Sequence, residues 1–204
     1  MNCKIALLAL VSTCFQIGAQ AFAQHTDAPR LEIGFQLTQI YLPVRPVGSV
    51  QYQLGYGVVL SGKILTRFGV DVGFSITPTT PISSTSFAGG RLSEAFFGVR
   101  VGIFLARHFE FYAKVRPGLV HFDDVILHAT SDPTLQFQTG SLTEPALDVG
   151  GIAMLRVSRR IGIRYEIGDT FIHYGSRIVD PSQPAVPGHL VSAFQLGAGF
   201  VVGF

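Results

Sequence analysis

From residue 31 onward, large apolar side chains alternate with small or polar ones. In the last stretch the even positions read Leu190, Ser192, Phe194, Leu196, Ala198, Phe200, Val202 and Phe204. The odd positions read His189, Val191, Ala193, Gln195, Gly197, Gly199, Val201 and Gly203. One face is oily and bulky; the other is small or polar. A period of two marks a strand, because successive side chains leave opposite faces of a pleated backbone.

Seven earlier stretches repeat the split. Leu31, Ile33, Phe35, Leu37 and Tyr41 alternate with Glu32, Gly34, Gln36 and Thr38. Phe68, Val70, Val72, Phe74 and Ile76 alternate with Gly69, Asp71, Gly73 and Ser75. The others begin near Gln51, Glu94, Phe109, Leu147 and Ile161. The pattern predicts eight strands and no helix. Short turns are expected at 64–67, 105–108 and 158–160, and longer connections at 43–49, 79–90, 123–143 and 175–188. The longer ones hold turn chemistry, such as TPTTPISSTSFAGG and DPSQPAVPGH. An even strand count with short turns at one end and long loops at the other predicts an all-β, eight-stranded antiparallel up-and-down transmembrane β-barrel.

A soluble secreted barrel would also alternate, and the charges separate the two readings. Six acids fall on the small, polar face: Glu32, Asp71, Glu94, Glu110, Asp148 and Glu166. Six bases share it: Lys63, Arg100, Lys114, Arg116, Arg156 and Arg164. The glycines lie on that face too, as a narrow lumen requires. The oily face then points outward, where hydrocarbon tolerates it and water does not. Sheet closure satisfies every backbone group in lipid.

Composition agrees. Of 204 residues, 48% are hydrophobic and 14% are charged, against about a quarter charged in a soluble domain. The net charge of +2 and the absence of Lys/Arg runs give no support for a nucleic-acid partner, and none is expected. Residues 1–23 read as a secretory signal peptide: Lys4, an apolar run from Ile5, and Ala21-Phe22-Ala23 before Gln24. Residues 24–204 are the barrel domain, with no second domain. Cys3 and Cys14 both fall in the leader, so the exported chain has no disulfide. No later run of apolar residues is long enough for a transmembrane helix.

The mature chain, from about residue 30, resembles the small eight-stranded outer-membrane β-barrel family, the class of the OmpA and OmpX barrels. YAKVRPGLVHF (112–122) and EIGDTFIHYG (166–175) are phrases similar to those of its members from Gram-negative bacteria. No peptidoglycan-binding domain follows the last strand, and Trp is absent, so Tyr and Phe must form the aromatic girdle. The resemblance implies an outer-membrane location, periplasmic termini and outer-membrane lipid as surroundings. It also implies that Phe200, Val202 and Phe204 form the terminal signal read by the barrel-assembly machinery.

Balanced charges in a narrow tube are expected to pair, because an isolated buried charge is costly. The expected role is structural or surface-interacting, with a plugged interior and no cofactor. The alternatives are a small low-conductance pore and, behind it, a lipid-modifying enzyme. For the enzyme, His173 and Ser176 are the nearest pair, three residues apart on a turn. His121, His128, His173 and His189 gather at the long-loop end without metal-ligand spacing. Phe87, Leu135 and Phe137 are loop residues expected to pack over the mouth. Asp169 falls on the oily parity, so either a bulge after Gly168 shifts the phase or Asp169 sits above the apolar band, the bulge being the first expectation. Pro117 interrupts a strand, where a bulge is the expected remedy.

Overall fold

The computed structural model describes residues 31–44, 49–78, 91–106, 108–128, 138–176 and 187–204. The leader at 1–23 and loop residues Phe87, Leu135 and Phe137 lie outside the described residues. The strands are β1 (Leu31–Val44), β2 (Ser49–Lys63), β3 (Phe68–Thr77), β4 (Leu92–Leu105), β5 (Phe109–His128), β6 (Gln138–Arg156), β7 (Ile161–Tyr174) and β8 (His189–Gly203). Each pairs with the next, and β8 returns to β1, giving a closed antiparallel barrel.

Closure follows from the shared parity of the end strands. β1 and β8 pair from Glu32 opposite Gly203 to Tyr41 opposite Phe194. The N–H of Phe204 donates to the Leu31 carbonyl at 2.8 Å. On the outside, Phe35 meets Phe200 at 6.3 Å and Tyr41 meets Phe194 at 5.8 Å between ring centroids. The β2–β3 turn is tight: the N–H groups of Ile64 and Leu65 both donate to the Phe68 carbonyl. In the β6–β7 turn, Ser158 Oγ accepts from the N–H groups of Arg160 and Ile161.

The two faces separate as the alternation requires. Leu54, Phe97 and Phe200 are 63%, 61% and 53% exposed, while Asp71 and Asp148 are fully buried. Gly98 on the inner wall meets β5 so closely that a Cβ would overlap the Val115 carbonyl oxygen and the Arg116 Cα.

Three local expectations need correction. The connection expected at 123–143 is largely strand: β5 runs to His128 and β6 begins at Gln138. Asp123-Asp124 breaks the alternation, and the ladder absorbs this through register shifts between Phe122 and Val125 and between Ile126 and His128. Asp169 causes no bulge: Gly168, Asp169 and Thr170 pair in unbroken register with Gly150, Val149 and Asp148. Asp169 stays outward, half-buried, and accepts from Ser192 Oγ at 3.0 Å. Pro117 causes none either. It stands opposite Leu147, and on the β4 side the register is the same before and after it. The bulge in that ladder lies instead between Gly102 and Phe104.

Replacing Gly98 by Val should lower the urea midpoint of the micelle-folded barrel, by about 1–3 kcal/mol in stability. Gly175→Ala, where a Cβ meets open space, should leave that midpoint unchanged.

Candidate functional site

The inward parity of the strands builds a column of charge along the barrel axis. Its centre joins four strands. Arg116 on β5 donates from Nε to Asp148 Oδ2 on β6 at 2.6 Å and from Nη1 to Asp71 Oδ2 on β3 at 2.7 Å. Its Nη2 reaches Glu166 Oε2 on β7 at 3.0 Å. Arg164 on β7 donates from Nε to Glu166 Oε1 and from Nη2 to Asp71 Oδ2, both at 2.7 Å. Lys114 Nζ lies 2.6 Å from Glu166 and 2.9 Å from Asp148. Three cations thus hold three carboxylates.

Toward the short turns a second cluster forms. Arg100 Nη2 donates to Glu32 Oε2 at 2.9 Å. Arg156 pairs with the other oxygen of Glu32 and reaches Glu110 Oε2 at 2.9 Å. Tyr112 donates its hydroxyl to Glu110 at 2.8 Å, and its ring lies 4.7 Å beneath the Arg100 guanidinium. Val59, Met154 and Val201 are also buried together on the inner parity.

The long-loop side has a different chemistry. Glu94 is buried and accepts from two neutral donors, Ser75 Oγ at 2.6 Å and Gln195 Nε2 at 2.9 Å. A buried apolar cluster of Ile40, Leu92, Phe96, Val120, Ala146, Ile172 and Ala193 closes this side. Leu42, Phe122 and Tyr174 pack against it.

Ten of the twelve charges expected inside take part in buried ion pairs. The other two correct the expectation of full pairing. Glu94 has no cation in salt-bridge range among the described residues, because the bases lie nearer the turns. Lys63, half-buried at the last residue of β2, faces Glu110 and Glu32 only at longer range. Glu144, which sequence reasoning missed, also lies buried on the inner parity of β6 and makes a seventh acid there. Its signal is the even spacing Glu144, Ala146, Asp148, which a connection expected over 123–143 hides.

The remaining candidates lie at the rim. His173 and Ser176 are both exposed, and no hydrogen bond joins them among the described residues. His189 stacks on Tyr174 at 5.3 Å. His121 bridges Thr143 Oγ1 at 2.7 Å and Asp123 Oδ1 at 3.0 Å, and Arg91 pairs with Asp123 at 2.7 Å. The Arg91 hydrogen bond, helped by His121, holds the Asp123 carboxyl below the usual carboxylate range. The side chain of His128 lies outside the described residues. Among the described residues no group of three or more His, Cys, Asp or Glu is arranged to hold a metal ion.

Three solved structures resemble this architecture. Neisserial surface protein A (NspA) superposes with a TM-score of 0.57 at 9% identity, over 88% of this chain and 100% of that chain. Ail, the attachment invasion locus protein of Yersinia pestis, gives 0.49 at 12% identity, over 85% and 99%. The outer membrane protein OprG from Pseudomonas aeruginosa gives 0.47 at 11%, over 87% and 96%. No protein-family model matches the sequence, and no curated protein matches it. The likeness to NspA is one of fold: this chain has the fold of the small eight-stranded outer-membrane β-barrels.

The network assigns unequal weights to its members. Arg116→Leu leaves three buried carboxylates to share two cations, Lys114 and Arg164, and should cost about 3–5 kcal/mol. Glu94→Gln keeps an acceptor for two neutral donors and should change stability by less than about 1 kcal/mol. Urea midpoints of the two variants in micelles check the contrast.

Proposed function

We propose that the protein is an integral outer-membrane β-barrel with a structural or surface-interaction role, its interior closed by paired charges. The carrying observation is Arg116, whose guanidinium holds carboxylates from three other strands inside the tube. An eight-stranded lumen is about wide enough for side chains to fill. Here the filling is continuous in kind: an apolar cluster on the loop side, Glu94 with its neutral donors, then two ion-paired clusters. Opening a water path would break several buried ion pairs together, which opposes a diffusion pore.

The outward face supports the membrane location. Leu37, Tyr56, Val58, Phe97, Val99, Tyr165 and Ile167 are each about half exposed or more on the wall. Contiguous apolar surface of that extent suits lipid. The role we assign is non-catalytic: the barrel is a rigid scaffold that carries four connections at the outer surface, the one between β1 and β2 spanning only 45–48. Function on such scaffolds resides in the loops.

Reconstitution into a planar bilayer should give no large, stable conductance steps, and their appearance would refute the closed interior. A second expectation concerns biogenesis. Phe204 is 71% exposed and adds one backbone hydrogen bond, to Leu31. Its deletion removes little packing. We infer that Phe204, with Phe200 and Val202, acts through recognition by the barrel-assembly machinery. The deletion should therefore lower the amount of folded protein in the outer membrane while leaving refolding into micelles nearly intact. Unheated gel mobility reads both.

A further inference from the structure

We propose that the short-turn end of the barrel is a docking rim for anionic phospholipid headgroups, formed by Arg67, Arg159 and Arg160. The proposal rests on the membrane reading and adds a partner to it.

The charge at this end is one-sided. The turn segments read ILTR (64–67), LARH (105–108) and VSRR (157–160), with no acidic residue in any of them. Arg67, Arg159 and Arg160 are exposed, as is His108. Among the described residues, the acidic side chains nearest this end, Glu32 and Glu110, are buried in the lumen and held by Arg100 and Arg156. Their charge is matched inside the lumen, and the sequence of the turns themselves is basic. Among the described residues of the opposite end, Arg91 is paired with Asp123.

The same turns also carry bare apolar surface. Ile64, Leu65 and Val157 are 66%, 62% and 63% exposed, and they continue the outward belt of Phe68, Phe109 and Ile161. A guanidinium one to three residues from such a side chain stands at the boundary between hydrocarbon and water, where long cationic side chains settle. What lies at that depth in a bilayer is the phosphodiester. Guanidinium matches phosphate oxygens in a two-pronged geometry. Continuity with the lipid-facing belt favours a lipid over an acidic soluble protein.

The rim is also held in place. The carbonyl of Arg67 accepts from the Gly102 N–H of β4 at 2.6 Å, and that of Arg160 accepts from the Gly203 N–H of β8 at 2.7 Å. Each basic turn is thus tied to the strand beyond its own hairpin.

The test uses the refolded barrel in nanodiscs of phosphatidylcholine mixed with phosphatidylglycerol. Lipids retained after detergent exchange are counted by mass spectrometry. Wild type should enrich phosphatidylglycerol, and high salt should erase the enrichment. The triple variant R67Q/R159Q/R160Q should lose it, by about fivefold in relative affinity per charge. R67K/R159K/R160K should keep most of it. Should the triple Gln variant fail to fold, wild type alone and R159Q remain decisive. Absence of any headgroup preference in wild type, or equal enrichment in wild type and R159Q, overturns the proposal. A barrel that enters neither lipid would instead overturn the membrane reading, which the unheated gel shift reports separately.

Discussion

A guanidinium enclosed by a hydrocarbon-facing wall must find carboxylates within arm's reach. Arg116 meets three, on β3, β6 and β7. Desolvating an ion costs several kcal/mol, and only near-ideal geometry with further hydrogen bonds returns it. The glycine pattern follows from this demand. Six large charged side chains gather in the central cluster, so the inner wall yields volume elsewhere. Positions such as Gly73, where an added Cβ would meet the Arg116 guanidinium at 3.3 Å, are the spaces into which the cations fold.

The wall and the lumen therefore solve one problem twice. Backbone groups are satisfied by closure of β8 on β1, and side-chain charges by pairing across the tube. Neither solution works alone. An open sheet would expose its edge to lipid, and a closed sheet with unpaired charges would draw in water. The loop side is relaxed by comparison. There Glu94 makes do with a hydroxyl and an amide, and an apolar cluster above it does the sealing.

Much of this was legible because parity is a strict code. Asp71 between Gly69 and Gly73, opposite Val70 and Val72, leaves no doubt about which side faces in. The code fails where one residue type serves both faces. Ile40, Leu92 and Ile172 in the loop-side seal, and Met154 among the charges, are apolar, yet they sit on the inner parity. Glu144 was lost because Asp123-Asp124 reads as a turn, whereas the ladder runs on past it with two register shifts. Parity also says nothing about partners. That Glu32 takes Arg100 and Arg156 rather than Lys63 of the adjoining strand depends on the stagger of strands around the barrel, which no local pattern encodes. Asp169 shows the opposite limit. Its outward parity was legible, but its cross-strand partner Ser192 was not.

The Glu32–Arg156 pair joins residues separated by 124 positions, and Arg164 reaches back 93 to Asp71. Early strands thus carry charges whose partners do not yet exist when those strands emerge. Glu32 and Asp71 gain first partners only with Arg100 on β4 and Arg116 on β5, and their pairing is complete only with Arg156 on β6 and Arg164 on β7. Until then they stay hydrated, and a hydrated carboxylate cannot enter hydrocarbon. The order of events is thereby constrained: the lumen must assemble before, or together with, the passage of its wall into lipid. For this chain, commitment to the bilayer is a late and collective step, timed by the arrival of its last strands.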